Sequence, residues 1–293
     1  MRFVAVVLSW NGREDTLACL DSLGDVETIC VDNGSTDGSA DAVAERFPNI
    51  ELIRTGVNLG FAAGNNVGIR RALERGADWV VLLNNDAVVE PGFAEALAAA
   101  AGRHPDAGVL ACKVFVLDRP EVLWYAGASF NPLLGYSGRV RGAGQRDDGS
   151  FEQELDVDWA TGAAMAVSRP ALERAGLLDE ELFAYLEDVD WCLRIREAGL
   201  RIVFAPAARA WHRVSASTGG PASTTSLRYH CRNTLAVSER HAPLPRIATG
   251  ARRGVVVATH LLQALRQPRR VQSVGAVVRG WRDYRRGRMG RVA

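Results

Sequence analysis

The stretch Trp79-Val80-Val81-Leu82-Leu83-Asn84-Asn85-Asp86-Ala87 decides the fold of this chain. Its apolar start is typical of a strand that is buried on both faces of a parallel sheet. The strand stops abruptly at two amides and a carboxylate, and open α/β sheets bind their ligands at such carboxyl ends. The carboxylate suits a hard divalent cation and hence a phosphorylated substrate, whereas the alternative is an ordinary turn, which Asn and Asp also favour.

Strands and helices alternate on both sides of this stretch, which is typical of βαβ units with right-handed crossovers. The first half is predicted to contain strands Phe3–Leu8, Thr28–Val31, Ile50–Ile53 and Trp79–Leu83 and helices Arg13–Leu23, Asp37–Phe47 and Phe61–Arg75. The second half is predicted to contain helices Pro91–Arg103, Pro170–Gly176 and Asp188–Ala198 and strands Gly108–Val116, Asp158–Val167 and Arg201–Phe204. Residues 118–150 suggest an irregular excursion or hairpin.

Charge is distributed unevenly along the 293 residues. The formal net charge is only +1, but residues 251–293 hold eleven Arg and one acidic residue, Asp283. A basic tail on an acidic body indicates a phosphate-rich partner, either an anionic membrane surface or a nucleic acid. Nucleic acid is the poorer fit, because the tail contains no recognition module.

The composition is that of a globular protein, with 47% hydrophobic residues, and no run reaches the roughly 18–20 apolar residues of a membrane span. The N-terminus enters a strand at once, without a signal-peptide pattern. Five scattered cysteines suggest buried, reduced thiols rather than a zinc site or disulfides. These features predict a cytoplasmic protein, with any membrane contact peripheral.

Four polar clusters lie at predicted strand ends or helix starts. They are Asp32-Asn33-Gly34-Ser35-Thr36-Asp37, Asn58-Leu59-Gly60-Phe61-Ala62-Ala63-Gly64-Asn65, Asn84-Asn85-Asp86 and Glu187-Asp188-Val189-Asp190. The second cluster places small residues at a helix start, where backbone N–H groups can approach a phosphate or a sugar.

These clusters, together with Thr161-Gly162-Ala163 and His212, resemble glycosyltransferase family 2, and in particular its bacterial rhamnosyltransferase-like branch. The resemblance covers about residues 3 to 240. It implies a GT-A fold, which is a Rossmann-like nucleotide-binding α/β fold with a mostly parallel central sheet. We therefore expect a GT-A core over residues 1–214, a mobile loop over 215–226 and a helical, basic extension over 227–293.

The resemblance also implies a role for each matching residue. Asp32 would hold the nucleobase, Asp86 and His212 would bind Mg²⁺ or Mn²⁺, and Asp188 would be the catalytic base. Asn84 stands where many members carry Asp, which leaves the metal site less negative. The expected donor contacts are Ser9, Asn11, Asp32, Asn58, Gly60, Asn65, Asn84, Asn85 and Asp86.

The acceptor side is expected to involve Thr161, Gly162, Glu187 and Trp191, although packing is an alternative role for Trp191. Arg232, which follows the loop, is a candidate clamp for the diphosphate. A surface salt bridge is an equally good interpretation of the role of Arg232.

The predicted reaction is inverting, metal-dependent transfer of a sugar from dTDP-rhamnose or a UDP-sugar to an acceptor hydroxyl, on a lipid-linked or cell-envelope glycan. One base and in-line attack imply inversion at the anomeric carbon. Two alternatives remain open at this point. A sugar-phosphate nucleotidyltransferase would carry a Gly-rich, basic loop after the first strand, where this chain has Ser9-Trp10-Asn11-Gly12-Arg13. A non-catalytic binding module would bind the donor without turnover.

The basic tail offers a prediction about the acceptor. Val277–Arg291 mixes Arg with Trp281 and Tyr284, a composition typical of an interfacial membrane segment. A polyprenyl diphosphate acceptor at the cytoplasmic leaflet would suit such a segment, and a solvated basic end is the alternative.

Overall fold

The computed structural model describes residues 1–131, 140–213 and 223–292. The strands are β1 Phe3–Ser9, β2 Thr28–Asp32, β3 Glu51–Arg54, β4 Trp79–Asn84, β5 Ala87–Val89, β6 Ala107–Val116, β7 Arg119–Tyr125, β8 Leu155–Asp156, β9 Ala164–Ser168 and β10 Arg201–His212. The helices are α1 Arg13–Leu23, α2 Ser39–Arg46, α3 Phe61–Glu74, α4 Phe93–Arg103, α5 Arg169–Ala175, α6 Glu187–Glu197, α7 Thr224–His241, α8 Arg246–Leu265 and α9 Arg270–Arg285.

All ten of these strands form one sheet, whose main path runs β3-β2-β1-β4-β9-β6-β10-β5. The half formed by β3, β2, β1 and β4 is parallel, as predicted. The other half is mixed, because β9 runs antiparallel to both β4 and β6, while β10 runs parallel to β6 and antiparallel to β5. The prediction of a mostly parallel sheet therefore holds for the first half only.

Two predicted strands have different bounds in the structure. The strand expected over Asp158–Val167 begins only at Ala164, because the Ala164 N–H bonds back to the Thr161 carbonyl in a turn. The strand expected to end at Phe204 continues to His212, since β10 pairs with β6 as far as His212 and its last three residues also pair with β5. Part of the 118–150 excursion is a hairpin, in which β7 pairs antiparallel with β6.

The parallel half gathers polar residues at one edge. Register places Ser9 beside Asp32 and Leu8 beside Asn84, so the three strands end together. The interiors of β1 and β4 are almost completely buried, which explains their uninterrupted apolar sequences. The polar ends thus form the rim on which a ligand can sit.

The antiparallel pair β5–β10 brings the end of β10, the longest strand among the described residues, to the same rim. His212 is the register partner of Ala87, the residue that follows Asp86, and the Arg213 N–H donates to the Asp86 carbonyl. The pairing therefore places two residues that are far apart in sequence side by side.

Helices α7, α8 and α9 pack on one another around a second apolar cluster that includes Leu227, Val256 and Val277. Helix α7 also contributes Val237 to the main core, so it packs on both apolar clusters. The expected boundary between a GT-A core and a helical extension at residues 215–226 stays a prediction. Residues 215–222 of the predicted loop lie outside the described residues. Ser223 caps α7 through its side chain, so the rest of that segment is a helix start and not a loop.

A buried ion network joins α6 to α7. The fully buried Asp190 carboxylate accepts hydrogen bonds from Arg194 (2.9 Å), Arg240 (2.7 Å) and His241 (2.9 Å). Burial alone would raise the pKa of Asp190, but the His241 hydrogen bond and the arginine charges lower it to about 2. Asp190 therefore has a structural role at this junction.

All five cysteines are buried and free, as predicted. No helix among the described residues is both long enough and apolar enough to cross a bilayer. The cytoplasmic location stays a prediction.

Candidate active site

A cleft of about 430 Å³ opens at the polar rim of the sheet. The predicted residues that line it are Asn58, Gly60, Asn84, Asn85, Asp86, Thr161, Gly162, Glu187, Asp188 and His212. Aromatic residues close its walls: Trp10, Phe61, Trp124, Trp159, Phe183 and Tyr185. Among the described lining residues, three are carboxylates and none is Lys or Arg. An anionic ligand in this cleft therefore requires positive charge from another source.

Asp86 and His212 form a close, nearly buried pair. The Asp86 Oδ1 to His212 Nε2 distance is 3.0 Å, and Asn84 Nδ2 lies 3.2 Å from the same ring nitrogen. Adjacent ligands of an octahedral Mg²⁺ ion, at bond lengths of about 2.1 Å, are also about 3.0 Å apart. The separation of these two atoms therefore suits two neighbouring ligands of a divalent ion. No group of three or more His, Cys, Asp or Glu in the described ranges is placed to hold a metal ion by itself, so the remaining ligands would come from substrate and water.

Asp188 lies at the start of α6 with both oxygens oriented by the backbone. Oδ2 accepts the Gly162 N–H at 2.9 Å, and Oδ1 accepts the Val189 N–H at 2.8 Å. Each carboxylate oxygen retains a free lone pair for a ligand hydroxyl. Burial raises the pKa of Asp188, although the backbone donors act in the opposite direction. A raised pKa brings this carboxylate closer to the range in which a general base works well.

Glu187 lies beside Asp188 and is buried. Burial, followed by the charge of Asp188, raises the pKa of Glu187 well above its usual range. Glu187 lines the cleft, and its buried Oε2 atom has no hydrogen-bond partner among the described residues. An unpaired buried carboxyl oxygen is costly, so this atom is suited to a hydroxyl of a bound ligand.

A strained turn precedes these two carboxyl groups. Phe183, Tyr185 and Leu186 all have positive φ angles, of 64°, 68° and 69°, which bulky residues seldom adopt. Phe183 also packs so tightly against Gly60 that a Cβ atom there would lie 2.5 Å from its ring. Strained conformations of this kind persist only where the surrounding structure holds them.

Two adjacent residues of α7 hold this turn through hydrogen bonds to its backbone carbonyls. The Asn233 side-chain amide donates to the carbonyls of Leu182, Ala184 and Tyr185, at 3.0, 2.9 and 2.7 Å. Arg232 donates to the Leu182 carbonyl at 3.0 Å and to the Gly290 carbonyl at 2.8 Å. The helical extension thus supports the backbone that presents the carboxyl groups.

This arrangement corrects the prediction for Arg232. Its side chain is fully buried and engaged with backbone carbonyls, so the structure does not bring it into the cleft as a diphosphate clamp. Trp191 is corrected likewise: it is fully buried, its ring N–H donates to the Gly176 carbonyl, and it does not line the cleft. Its large apolar ring is used in the core.

Four predicted donor contacts lie close to the cleft but do not line it: Ser9, Asn11, Asp32 and Asn65. Ser9 shares a hydrogen bond with Thr16, and the Asn85 amide donates to Thr16 and to the Asn11 carbonyl. Asp32 accepts the Ser35 N–H, and the Asn65 amide bonds within its own helix. These contacts fix the rim, while direct donor contacts of the four residues stay predictions.

Sequence reasoning missed His230 and the wall aromatics. His230 lines the cleft from α7 and packs against Tyr185 in a tilted arrangement, with ring centroids 4.3 Å apart. Burial, and then the charge of His260, lower the pKa of His230 to about 4, so its ring is neutral near pH 7. Tyr185 and Trp124 carried no motif signal, because an aromatic residue in a sequence indicates packing as readily as a ligand surface.

We expect Asn233→Ala to impair turnover more than donor binding. The carbonyls of Ala184 and Tyr185 would lose this donor, while that of Leu182 would keep Arg232. The loss should cost on the order of 2 kcal/mol of stability, and the strained turn would relax. Turnover should fall at least about tenfold, while the donor Kd measured by calorimetry changes little. Amide hydrogen exchange should rise at residues 182–186.

Asn66→Ala is the matched control, because Asn66 is another buried asparagine whose amide bonds to a carbonyl, that of Leu178. It should cost comparable stability without faster exchange at 182–186. Equal turnover losses in the two variants would show that Asn233 has no specific positioning role.

Comparisons with known proteins agree on one family. The family model described as glycosyltransferase like family 2 matches residues 2–236. An N-acetylglucosaminyl-diphospho-decaprenol L-rhamnosyltransferase from Mycobacterium tuberculosis is 31% identical, over 84% of this chain and 86% of that protein. A dTDP-rhamnosyl transferase from Shigella flexneri, RfbF, is 27% identical over 64% of this chain and 59% of that protein.

Solved structures share the fold at low identity. GalNAc-T7, solved with UDP, GalNAc and Mn²⁺, has a TM-score of 0.63 at 14% identity and covers 80% of this chain; the chain spans about half (48%) of its length. The mannosyltransferase PcManGT from Pyrobaculum calidifontis, solved with GDP-Man and Mn²⁺, has a TM-score of 0.57 at 17% identity, covering 97% of this chain and 86% of that one. The predicted GT-A fold is confirmed.

Proposed function

We propose an L-rhamnosyl transfer for this chain, which belongs to glycosyltransferase family 2. That it is a glycosyltransferase follows from the family. The donor we propose is dTDP-rhamnose, with UDP-sugars second, and the acceptor is a hydroxyl of a lipid-linked N-acetylglucosamine. The Mycobacterium tuberculosis relative, named for this transfer to a decaprenol-linked acceptor and similar over 84% of the chain, supports the proposal.

The observation that carries the proposal is the charge pattern of the cleft. Three carboxyl groups line it and no Lys or Arg does, within the described residues. A nucleotide diphosphate would be repelled from such a site without a cation. We therefore assign a divalent ion, Mg²⁺ or Mn²⁺, to Asp86 and His212, which already lie 3.0 Å apart. When bound, such an ion neutralises negative charge on the diphosphate leaving group.

Asp188 performs the proton transfer in this mechanism. As the acceptor oxygen forms its bond to the anomeric carbon, the bond from that carbon to the diphosphate oxygen breaks. The hydroxyl proton passes to Asp188, whose two backbone donors keep its carboxylate oriented. A single displacement by the acceptor inverts the anomeric configuration. Two-carboxylate hydrolysis is a different design and is not required here.

The remaining residues bind and orient the substrates. Asp32, at the end of β2, is assigned to the nucleobase, and Asn58, Gly60 and Asn84 to the donor rim. On the acceptor side, Thr161 and Gly162 leave room for a sugar and the Glu187 Oε2 atom can bind a hydroxyl. Wall aromatics such as Trp124 and Tyr185 offer flat apolar faces on which a pyranose can stack.

A donor panel tests this proposal. Thermal shift with dTDP-rhamnose, UDP-sugars and GDP-mannose, each with and without Mg²⁺ or Mn²⁺, should give the largest metal-dependent stabilisation with dTDP-rhamnose. Transfer to a synthetic N-acetylglucosaminyl-diphospho-prenol should then release dTDP. Strong stabilisation by a donor without any transfer would favour a binding module. Formation of a nucleotide sugar from a sugar phosphate and a nucleoside triphosphate, with release of pyrophosphate, would favour a nucleotidyltransferase.

A further inference from the structure

Exposed apolar residues are concentrated on the C-terminal helices. The described residues include eight exposed large hydrophobic side chains, and five of these lie on α8 or at the start of α9: Ile247, Val255, Leu262, Leu265 and Val271. Ile247 is 92% exposed and Val271 is 87% exposed. The clustering distinguishes this surface from the scattered single exposures that are normal on soluble proteins.

The exposed residues of α8 form one stripe. Ile247, Val255, Leu262 and Leu265 recur at helical spacing, with the small residues Ala251, Gly254 and Ala258 between them, so all lie on one side of the helix. The opposite side carries Val256, His260 and Ala264, which are buried against α7 and α9. Helix α8 is therefore apolar on both sides, whereas the outer side of an ordinary surface helix is polar.

Positive charge borders the stripe. Arg266, Arg269 and Arg270 are exposed where α8 leads into α9, and Arg246 is exposed at the other end of α8. No salt bridge joins any of these four arginines to another described residue. From Arg246 to Arg282 the sequence contains neither Asp nor Glu. The surface thus combines an apolar stripe with uncompensated arginines.

We propose that this surface, formed by the outer side of α8 and by Arg266, Arg269, Arg270 and Val271, docks on an anionic lipid bilayer. A bilayer surface supplies apolar depth for the stripe and phosphates for the arginines. A second copy of the chain fits less well, because a two-fold contact would set two arginine-rich surfaces against each other.

The structure also moves the site away from the segment expected from the sequence. In Val277–Arg291, Val277 and Gly280 are buried, and Trp281 and Tyr284 pack against the second apolar cluster. Those aromatic side chains are thus engaged in the fold, and the lipid-facing residues lie on α8 and at its junction with α9.

Sedimentation of the full chain with vesicles tests the proposal. The protein should sediment with vesicles of phosphatidylcholine and phosphatidylglycerol, and less with phosphatidylcholine alone. Replacing both Leu262 and Leu265 with Asp should weaken binding at least about tenfold, since two apolar side chains would no longer be buried in lipid. Replacing Arg266, Arg269 and Arg270 with Glu should weaken it by a similar factor and remove most of its salt dependence.

Matched controls replace residues of the same type elsewhere on the surface. Val57→Asp changes an exposed apolar residue of the catalytic core, and the triple change of Arg119, Arg146 and Arg174 to Glu alters three exposed arginines there. Both controls should sediment like the unmodified chain. Far-ultraviolet circular dichroism and thermal unfolding identify any variant that loses its fold. If the leucine variant fails to fold, the arginine variant, whose changes are all at exposed positions, still tests the proposal.

Three results would overturn the proposal. In the first, the unmodified chain does not sediment with vesicles. In the second, the α8 variants sediment as much as the controls do. In the third, the chain binds no vesicles but self-associates in light scattering, and the α8 variants abolish that self-association. The proposal rests on the surface and not on the transfer reaction. Sedimentation requires neither donor nor acceptor. The vesicle experiment would therefore still test this proposal if the chain failed to transfer rhamnose.

Discussion

Asp188→Asn is expected to lower turnover by about 10²–10⁴-fold, because the acceptor hydroxyl loses the group that takes its proton. The side chains have nearly the same shape, so the donor Kd should stay almost unchanged. Steady-state transfer and donor calorimetry measure the two quantities separately. In the unmodified enzyme, activity should fall as pH decreases through the pKa of Asp188, which burial raises above the ordinary Asp value of about 3.9.

Glu187→Gln is the informative comparison, because Glu187 is the adjacent carboxyl group on the same helix and its pKa is also raised by burial. If Asp188 is the base, the glutamine variant should keep most of the turnover and chiefly raise the KM of the acceptor. The reverse result, with Glu187→Gln nearly inactive and Asp188→Asn active, would transfer the role of base to Glu187.

The second large effect is expected at the proposed metal site. Asp86→Asn removes the carboxylate that lies 3.0 Å from His212. The affinity for a divalent ion depends on the negative charge of that carboxylate. Turnover should fall at least about 10²-fold, because stabilisation of the leaving group by an ion is worth several kcal/mol. After treatment with EDTA, the unmodified enzyme should regain its activity when Mg²⁺ or Mn²⁺ is added. The Asp86→Asn variant should need a far higher concentration of the ion.

Asp37→Asn is a suitable control for that experiment. Asp37 also lies at the polar rim, but its carboxylate accepts backbone N–H groups of Arg13 and Ser39 and does not line the cleft. This variant should keep the metal requirement of the unmodified enzyme. Full activity of the unmodified enzyme in EDTA would contradict the assignment, as would calorimetry in which Asp86→Asn binds Mn²⁺ in the presence of donor as tightly as before.

The sequence predicted the parallel half of the sheet well because local signals decide it. Buried strands such as Trp79–Asn84 are continuous apolar runs, and their polar ends are visible as motifs. The second half depends on pairings between distant residues. Nothing in Ala164–Ser168 shows that it runs antiparallel between two strands, and nothing in Ala87–Val89 shows that it pairs with Ala210–His212.

The same distinction holds for the candidate site. Asp86, Asp188 and His212 were found through motifs and do line one cleft. Arg232 and Trp191 were assigned wrongly, because residue type does not reveal which side of a helix faces the cleft. The positive φ angles at Phe183, Tyr185 and Leu186 could not be predicted, since groups that hold this turn are distant in sequence, such as the amide of Asn233, 49 residues after Ala184.

The support of the turn by α7 has a consequence for how the enzyme matures. During translation, the turn and the carboxyl groups that follow it are synthesised before Arg232, Asn233 and Gly290. A nascent chain that has reached the end of β10 therefore contains Asp86, Asp188 and His212 but lacks Asn233, which holds the strained backbone before Asp188. Catalytic competence should thus appear late in synthesis, after the helices that carry the lipid-facing surface have folded.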